Sequence, residues 1–430
     1  MMQAADELVA SPATSTEVGG PALVQPLRVR DYRLVFAGET ISVLGDQFHF
    51  VALAWLALQL TGSGLALGTV LMTAAIPRAI FMLVGGAFSD RFSPRTLMLV
   101  SNLVRGAVVA VIAGLVLSGR AELWHLYVLA ATFGIVDAFF YPALGTIVPM
   151  IVPERLLSPA NALMQGSTQV MGLIGPAAAG AAIALVQTGP AFVVDAASFG
   201  VAALAVFLVR GGRRAAPSSD DAQRESVMGS IGAGIRAAWA DPALRGTLVL
   251  ITAFNLAFTG PVNVGLAWLA EDRFAGGSAA FGVLFSAWGA GALIGAVIGG
   301  SITQIPRFGS VLLAIAVVLG IGLALIGLAP NLVVALAIIA PMGVLIGLTN
   351  VQYISWLQRR TAGELLGRIM SLSMLASVGL APISLAAAGA LVDLGAATLM
   401  YGVAGGIVLV AALAGMAWGV PAAMEREATA

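Results

Sequence analysis

Seven ionisable side chains stand inside stretches that are otherwise apolar: Glu39, Asp46, His49, Arg78, Arg105, Asp137 and Asp195. Such groups cost roughly 2.5–3.5 kcal/mol each on membrane-insertion scales, so they persist where they are used. The chemistry open to them is reversible protonation and charge pairing. Glu39 and Asp46 are seven residues apart and share one helix face, with His49 three residues further on. At about 1.5 Å per residue, Glu39, Arg105 and Asp137 lie roughly 10–15 Å from one membrane face. Arg78 is slightly deeper, and Asp46 is near the middle. Three carboxylates thus share a region with two arginines. If both arginines are paired, one carboxylate is left over, and an unpaired carboxyl in a dry setting takes up a proton near neutral pH. Asp46 is the expected proton carrier, Glu39 the first alternate, and Asp137 the third candidate. Two other roles stay open for Asp46: a packing pair with Arg78, or direct contact with a substrate. Asp195 reads as a structural residue.

The elements that position these groups are membrane spans. The 430-residue chain is 59% hydrophobic and 10% charged, with a mean hydropathy of +0.98. A soluble domain is closer to a quarter charged. A spanning helix needs about 20 mainly apolar residues. Twelve such segments are expected, near 34–60, 65–88, 96–118, 123–146, 160–186 and 190–209, then 246–270, 280–304, 309–328, 332–356, 368–391 and 396–420. The connecting loops alternate in charge. Arg28, Arg30, Arg33, Arg91, Arg95, Arg155, Arg307, Arg359, Arg360, Arg368 and Arg426 fall on one side, as do the arginines of 210–245. Only Arg120 and Arg273 fall on the other. Arginine-rich loops mark the cytoplasmic face, so both termini are expected in the cytoplasm and the protein in the inner (plasma) membrane.

Residues 1–27 lack a basic region followed by an apolar core, which excludes a signal peptide and predicts a disordered cytoplasmic tail. The break at 210–245 begins Arg210-Gly-Gly-Arg-Arg. It then carries Val227, Ile231, Ile235 and Ala238 at helical spacing, which predicts an amphipathic helix on the membrane surface. It separates an N-terminal six-helix bundle, 28–209, from a C-terminal bundle and short tail, 246–430. The halves echo each other: Asn161–Gly189 can be laid on Gly367–Gly395 without a gap, bringing Pro176 onto Pro382.

Composition also excludes several functions. There are no cysteines, only two histidines, and every basic residue is arginine. Thiolate chemistry, a usual zinc site and Schiff-base catalysis are therefore out of reach. Net charge is zero, which offers nothing to nucleic acid. No enzyme activity, metal or cofactor is expected.

The loop Gly85-Gly-Ala-Phe-Ser-Asp-Arg-Phe-Ser-Pro-Arg95 joins the second and third spans. It resembles the Gly-x-x-x-Asp-Arg-x-x-x-Arg signature of the major facilitator superfamily, falling on Gly86, Asp90, Arg91 and Arg95. Leu44-Gly-Asp46, Asp137-Ala-Phe-Phe-Tyr-Pro142, Asn161-Ala-Leu and Gly367-Arg-Ile-Met-Ser371 are similar to the branch holding macrolide-efflux proteins and the enterobactin exporter. The resemblance covers about 30–420. It implies an all-α membrane protein of twelve transmembrane helices, in two six-helix bundles that rock around a central cavity. Spans 1 and 4 would line that cavity, placing Glu39, Asp46 and Asp137 there, and Asp90 and Arg91 would form a cytoplasmic latch. Gly172-Leu-Ile-Gly175-Pro176-Ala-Ala-Ala-Gly180 resembles the superfamily's antiporter motif, associated with export. Generic helix packing is the other reading of it. Unlike many proton-coupled members, this chain has no arginine in its fourth span.

The second half offers polar groups but no charge at mid-membrane. Asn255, Asn263, Asn350 and Tyr353 are expected on the wall of a substrate cavity, and Phe139, Phe140, Tyr141 and Trp288 as rings available to a flat ligand. The expected activity is proton-coupled export of small amphipathic compounds, such as a drug or siderophore-like metabolite, by a monomer in a lipid bilayer. A nutrient importer and a non-transporting membrane sensor remain the alternatives.

Overall fold

The computed structural model describes residues 22–89, 92–211, 235–236, 238–302, 305–361 and 363–425, with side chains left out at 22–23, 82–89, 363–368 and 371. Twelve helices are long and apolar enough to cross a membrane. We label them α1 (Arg30–Thr61), α2 (Gly64–Ser89), α3 (Pro94–Leu117), α4 (Leu123–Ile151), α5 (Leu157–Val186) and α6 (Thr188–Leu208). In the second half α7 begins at Pro242–Gly260 and continues through π-helical turns at Pro261–Gly265 and Leu269–Arg273. It is followed by α8 (Gly277–Ser301), α9 (Phe308–Leu328), α10 (Leu332–Arg360), α11 and α12 (Ala397–Ala417). A turn splits α11 into Gly363–Val378 and Ala381–Asp393, just before Pro382, whose ring cannot donate to the preceding turn. The amphipathic helix expected within 226–239 falls largely outside the described residues.

Local chemistry sets the helix ends. Thr61 is followed by Gly62 in the left-handed conformation (φ 62°), whose N–H closes on Leu58 O, so α1 stops and α2 can turn back. Ser93 caps α3 by accepting from Thr96 N, with Pro94 in the first turn. Glu122 N donates to His125 Nδ1 at 2.9 Å. That accounts for one of the two histidines as a helix-start residue. At the end of α6, Arg95 donates to the carbonyls of Val206 (3.1 Å) and Phe207 (2.5 Å). These are carbonyls a helix C-terminus leaves unpaired.

Asp241 performs two tasks at the start of α7. It caps the helix by accepting from Ala243 and Leu244 N–H, and it receives Arg360, at the end of α10, through Nε (2.7 Å) and Nη2 (2.9 Å). Burial pushes the Asp241 carboxyl up, but the Arg360 hydrogen bond, the two backbone donors and the Arg360 charge hold it below its ordinary value. A depressed folded-state value stabilises above the unfolded pKa, near 3.9, and the gain is lost as pH falls through the folded value. Asp241→Asn is therefore expected to lower stability at neutral pH by about 1.5–3 kcal/mol. The deficit should close in acid below the usual carboxylate range. Unfolding of the two proteins at both pH values measures it.

Within the first half α1 packs on α6, α2 on α4 and α3 on α6; within the second, α8 packs on α10 and α9 on α12. The halves meet where α5 crosses α8 and α2 crosses α11. One crossing maps onto the other when each helix is advanced six places, as expected for repeated six-helix units. Both crossings lie toward the face opposite the chain termini, called the far face below. There the residues are small. A β-carbon on Gly282 would run into the Pro176 carbonyl oxygen and stand 3.2 Å from Gly180 Cα. One on Gly389 would run into Gly64 O and stand 2.7 Å from Leu65 Cα.

Candidate proton and substrate site

Helices α1 to α4 carry the sequence-predicted charges Glu39, Asp46, Arg78, Arg105 and Asp137. Arg105 is buried and lies flat between the rings of Phe140 and Phe199, 4.2 and 4.6 Å from their centroids. Its Nη2 donates to Asn102 Oδ1 at 2.9 Å, and its Nη1 reaches Asp137 Oδ1 at 3.3 Å. Arg78, from α2, pairs with the other oxygen of the same carboxylate, Asp137 Oδ2. Both arginines thus converge on Asp137, a buried residue of α4. The one-to-one pairing expected from the sequence would leave a single carboxylate over; the observed geometry leaves two. Glu39 and Asp46 make no hydrogen bond or ion pair with any described residue. The open alternative of an Asp46–Arg78 pair is not the arrangement seen. Two carboxylates without a direct partner thus share one face of α1, beside a cluster in which two arginines hold a single carboxylate.

One turn beyond Asp46, His49 Nδ1 meets Asp195 Oδ2 at 2.9 Å. Asp195 is fully buried, and its Oδ1 has no partner. The imidazole stacks on Phe133 at 4.2 Å and meets the edge of Phe192. The close approach of α6 to α1 needs Gly45, where a β-carbon would stand 2.7 Å from Ser198 Cβ. Sequence reading placed His49 and Asp195 separately. The available signal was a buried base and a buried acid with no other assigned partner.

In the second half, Asn255, Asn350 and Tyr353 line one cavity of about 310 Å³, whereas Asn263 does not. Asn263 lies in the π-helical stretch of α7 and donates Nδ2 to Thr259 O at 2.8 Å. Of the rings expected to be available to a ligand, Phe140 is buried under Arg105 and Tyr141 is exposed beside Arg78. Trp288 packs edge-on against Phe258, which stacks on Phe254.

The small-residue motif of α5 proves to be a contact between halves. Gly180 and Pro176 face Ser278 and Gly282 of α8, and Gly172 O lies 3.0 Å from where a Gly289 β-carbon would sit. Ser278 Oγ donates to Gly180 O at 3.1 Å, and Ala177 N donates to Ser286 Oγ at 3.0 Å. Gly175 instead packs on Gln47 of α1. At the second crossing Asp393, ending α11, accepts from Ser63 Oγ (2.5 Å), Gly64 N (2.6 Å) and Leu65 N (3.2 Å). Its charge thereby caps the N-terminus of α2 in the other half. The far face is therefore closed by glycine crossings and one carboxylate. Of the loop signature, Asp90 and Arg91 lie outside the described residues, Gly86 lies in α2, and Arg95 caps α6. Among the described residues no three His, Asp or Glu side chains gather as a metal site would require.

Twelve spanning helices in two halves that meet across small residues have the architecture of a membrane transporter. The chain belongs to the Major Facilitator Superfamily, whose family model matches residues 35–384. It is 27% identical to the multidrug efflux pump Tap of Mycolicibacterium fortuitum over 84% of this chain and 88% of that protein. It is 21% identical to macrolide efflux protein A of Streptococcus pyogenes over 79% of this chain and 84% of that one. The match to the uncharacterized MFS-type transporter YfiS of Bacillus subtilis is 31% identical but spans only 41% of either chain. Among solved structures, a POT family transporter in complex with 5-aminolevulinic acid superposes with a TM-score of 0.70 at 13% identity, covering 91% of this chain and 95% of that one.

Proposed function

We propose that this transporter exports small amphipathic compounds in exchange for protons, from a cell membrane in which both termini face the cytoplasm. The observation that carries the reading is the pair of unpartnered carboxylates on α1, Glu39 and Asp46, beside a cluster whose arginines are both engaged by Asp137. Closing a cavity over a bare carboxylate is costly, and a bound proton removes that cost. In the proposed cycle the carboxylates take up a proton while the far face is open. The protonated protein closes that face through the α5–α8 and α2–α11 crossings, then opens inward. Proton release and substrate loading follow there. The arginine-rich loops on the terminal side support the orientation. The names of Tap and macrolide efflux protein A support efflux over import.

The test uses protein in liposomes with an imposed pH gradient, an internal pH dye and a panel of lipophilic antibiotics and dyes. Some compounds should dissipate the gradient in wild type and leave it intact in Asp46→Asn, while the variant still exchanges labelled compound downhill. Labelled compound crossing without proton movement in wild type would reject coupling in favour of uniport. Uphill transport retained in Asp46→Asn would remove Asp46 as the carrier and leave Glu39.

A further inference from the structure

The cavity containing Asn255, Asn350 and Tyr353 is built entirely from the second half, by α7, α9, α10, the first part of α11, and α12. Its volume of about 310 Å³ is at the lower end of the range for small-molecule sites. None of its lining side chains carries a charge. Most are aliphatic, and Phe254 presents the end of a ring series that continues through Phe258 to Trp288. Most of its polar groups are already engaged. Tyr353 Oη meets Ser373 Oγ at 2.9 Å, Ser377 Oγ donates to Ser373 O, and Thr247 Oγ1 donates within its own helix. Asn255 spends Nδ2 on Ile251 O. The exception is Asn350, a lining residue that stays exposed and whose side-chain amide makes no hydrogen bond with any described residue. The carboxylates Glu39, Asp46 and Asp137 all belong to the other half.

We infer that this cavity binds uncharged, largely apolar molecules carrying a single hydrogen-bonding group, which meets the Asn350 amide while a flat part extends the Phe254 ring series. The inference rests on the export reading and adds a division of labour to it. Ligand and proton occupy different halves and do not compete for one carboxylate, so they are coupled through the closing of the crossings. A cationic ligand has no counter-charge in this cavity, and desolvating it there is unfavourable.

The experiment measures binding of N-phenyl-1-naphthylamine, a flat uncharged arylamine with one N–H, to full-length protein in nanodiscs, with empty nanodiscs as background. Tetraphenylphosphonium serves as the cationic comparison. Binding of the arylamine should be saturable and should survive Asp46→Asn, with pH shifting its affinity only through the closing equilibrium and by less than the cavity variants do. Ala316→Phe, which fills the cavity, should weaken it about tenfold or more, equivalent to about 1.4 kcal/mol. Asn350→Leu removes the amide at similar size and keeps the test available if Ala316→Phe does not fold; it should weaken binding several-fold. Absent saturable binding, indifference to both cavity variants, or loss of binding in Asp46→Asn overturns the inference. Tetraphenylphosphonium binding that is lost in Asp46→Asn, without arylamine binding, assigns the ligand to the carboxylates instead. The liposome assay separates the two readings. Proton movement with no arylamine binding rejects the cavity and keeps proton-coupled export, while arylamine binding with no proton movement does the reverse.

Discussion

Asp137→Asn is expected to lower the stability of the protein by about 3–5 kcal/mol, because it breaks a buried ion pair and leaves a charge behind. Asp137 holds two arginines at once, and Arg105 is buried between two rings with only Asn102 as its remaining hydrogen-bond partner. Arg78 has recourse to solvent, since its side chain is 48% exposed, so the damage centres on Arg105. Asp46→Asn and Glu39→Gln remove charges that have no partner and should leave stability near wild type or slightly above it. Unfolding of the three variants in detergent, followed by size-exclusion chromatography against temperature, ranks them. Adding Arg105→Met to Asp137→Asn should recover much of the loss, since the unpaired cation is then gone. Equal stability of Asp137→Asn and Asp46→Asn would mean that the paired cluster contributes little to holding α2, α3 and α4 together.

Gly282→Val is expected to open the far face. Even a single β-carbon at this position would collide with the Pro176 carbonyl, and a branched side chain adds two methyl groups to that collision. Overpacking of this kind costs about 1–3 kcal/mol. In the proposed cycle the α5–α8 crossing separates when the far face opens, so the cost falls on the closed state alone. The equilibrium should shift toward the far-open state by roughly 5–150-fold, the equivalent of about 1–3 kcal/mol. The chain has no cysteine, so a Ser63→Cys, Asp393→Cys pair reports closure by crosslinking without a background. Its crosslinking yield should fall sharply when Gly282→Val is added, and transport should slow. Gly200→Val is the control, since a β-carbon at Gly200 meets nothing within 4 Å. Unchanged crosslinking in Gly282→Val would show that closure does not depend on this crossing.

These two predictions turn on details of unequal legibility in the sequence. The amino-acid sequence by itself determined the twelve spans and the charge asymmetry of the loops, which follow from run length and composition, properties of one segment at a time. The family was legible in a local motif, the loop of Gly86, Asp90, Arg91 and Arg95. The sequence also placed Glu39 and Asp46 on one face, because a spacing of seven residues is close to two helical turns. Only the tertiary structure decided who pairs with whom. Arg78, Arg105 and Asp137 lie on three different helices, and helical periodicity does not say which faces approach within hydrogen-bonding distance. The same limit applies to His49 and Asp195, on α1 and α6. It applies equally to Gly172, Pro176 and Gly180, whose small size permits any close crossing and specifies none. Their role as the seam between the halves exists only because α8 brings Ser278 and Gly282 against them. Asn263 parts from Asn255, Asn350 and Tyr353 because the cavity is also bounded by α9, α10 and α12, helices remote from α7 in sequence, and its lining on α7 ends at Asn255, short of the π-helical stretch.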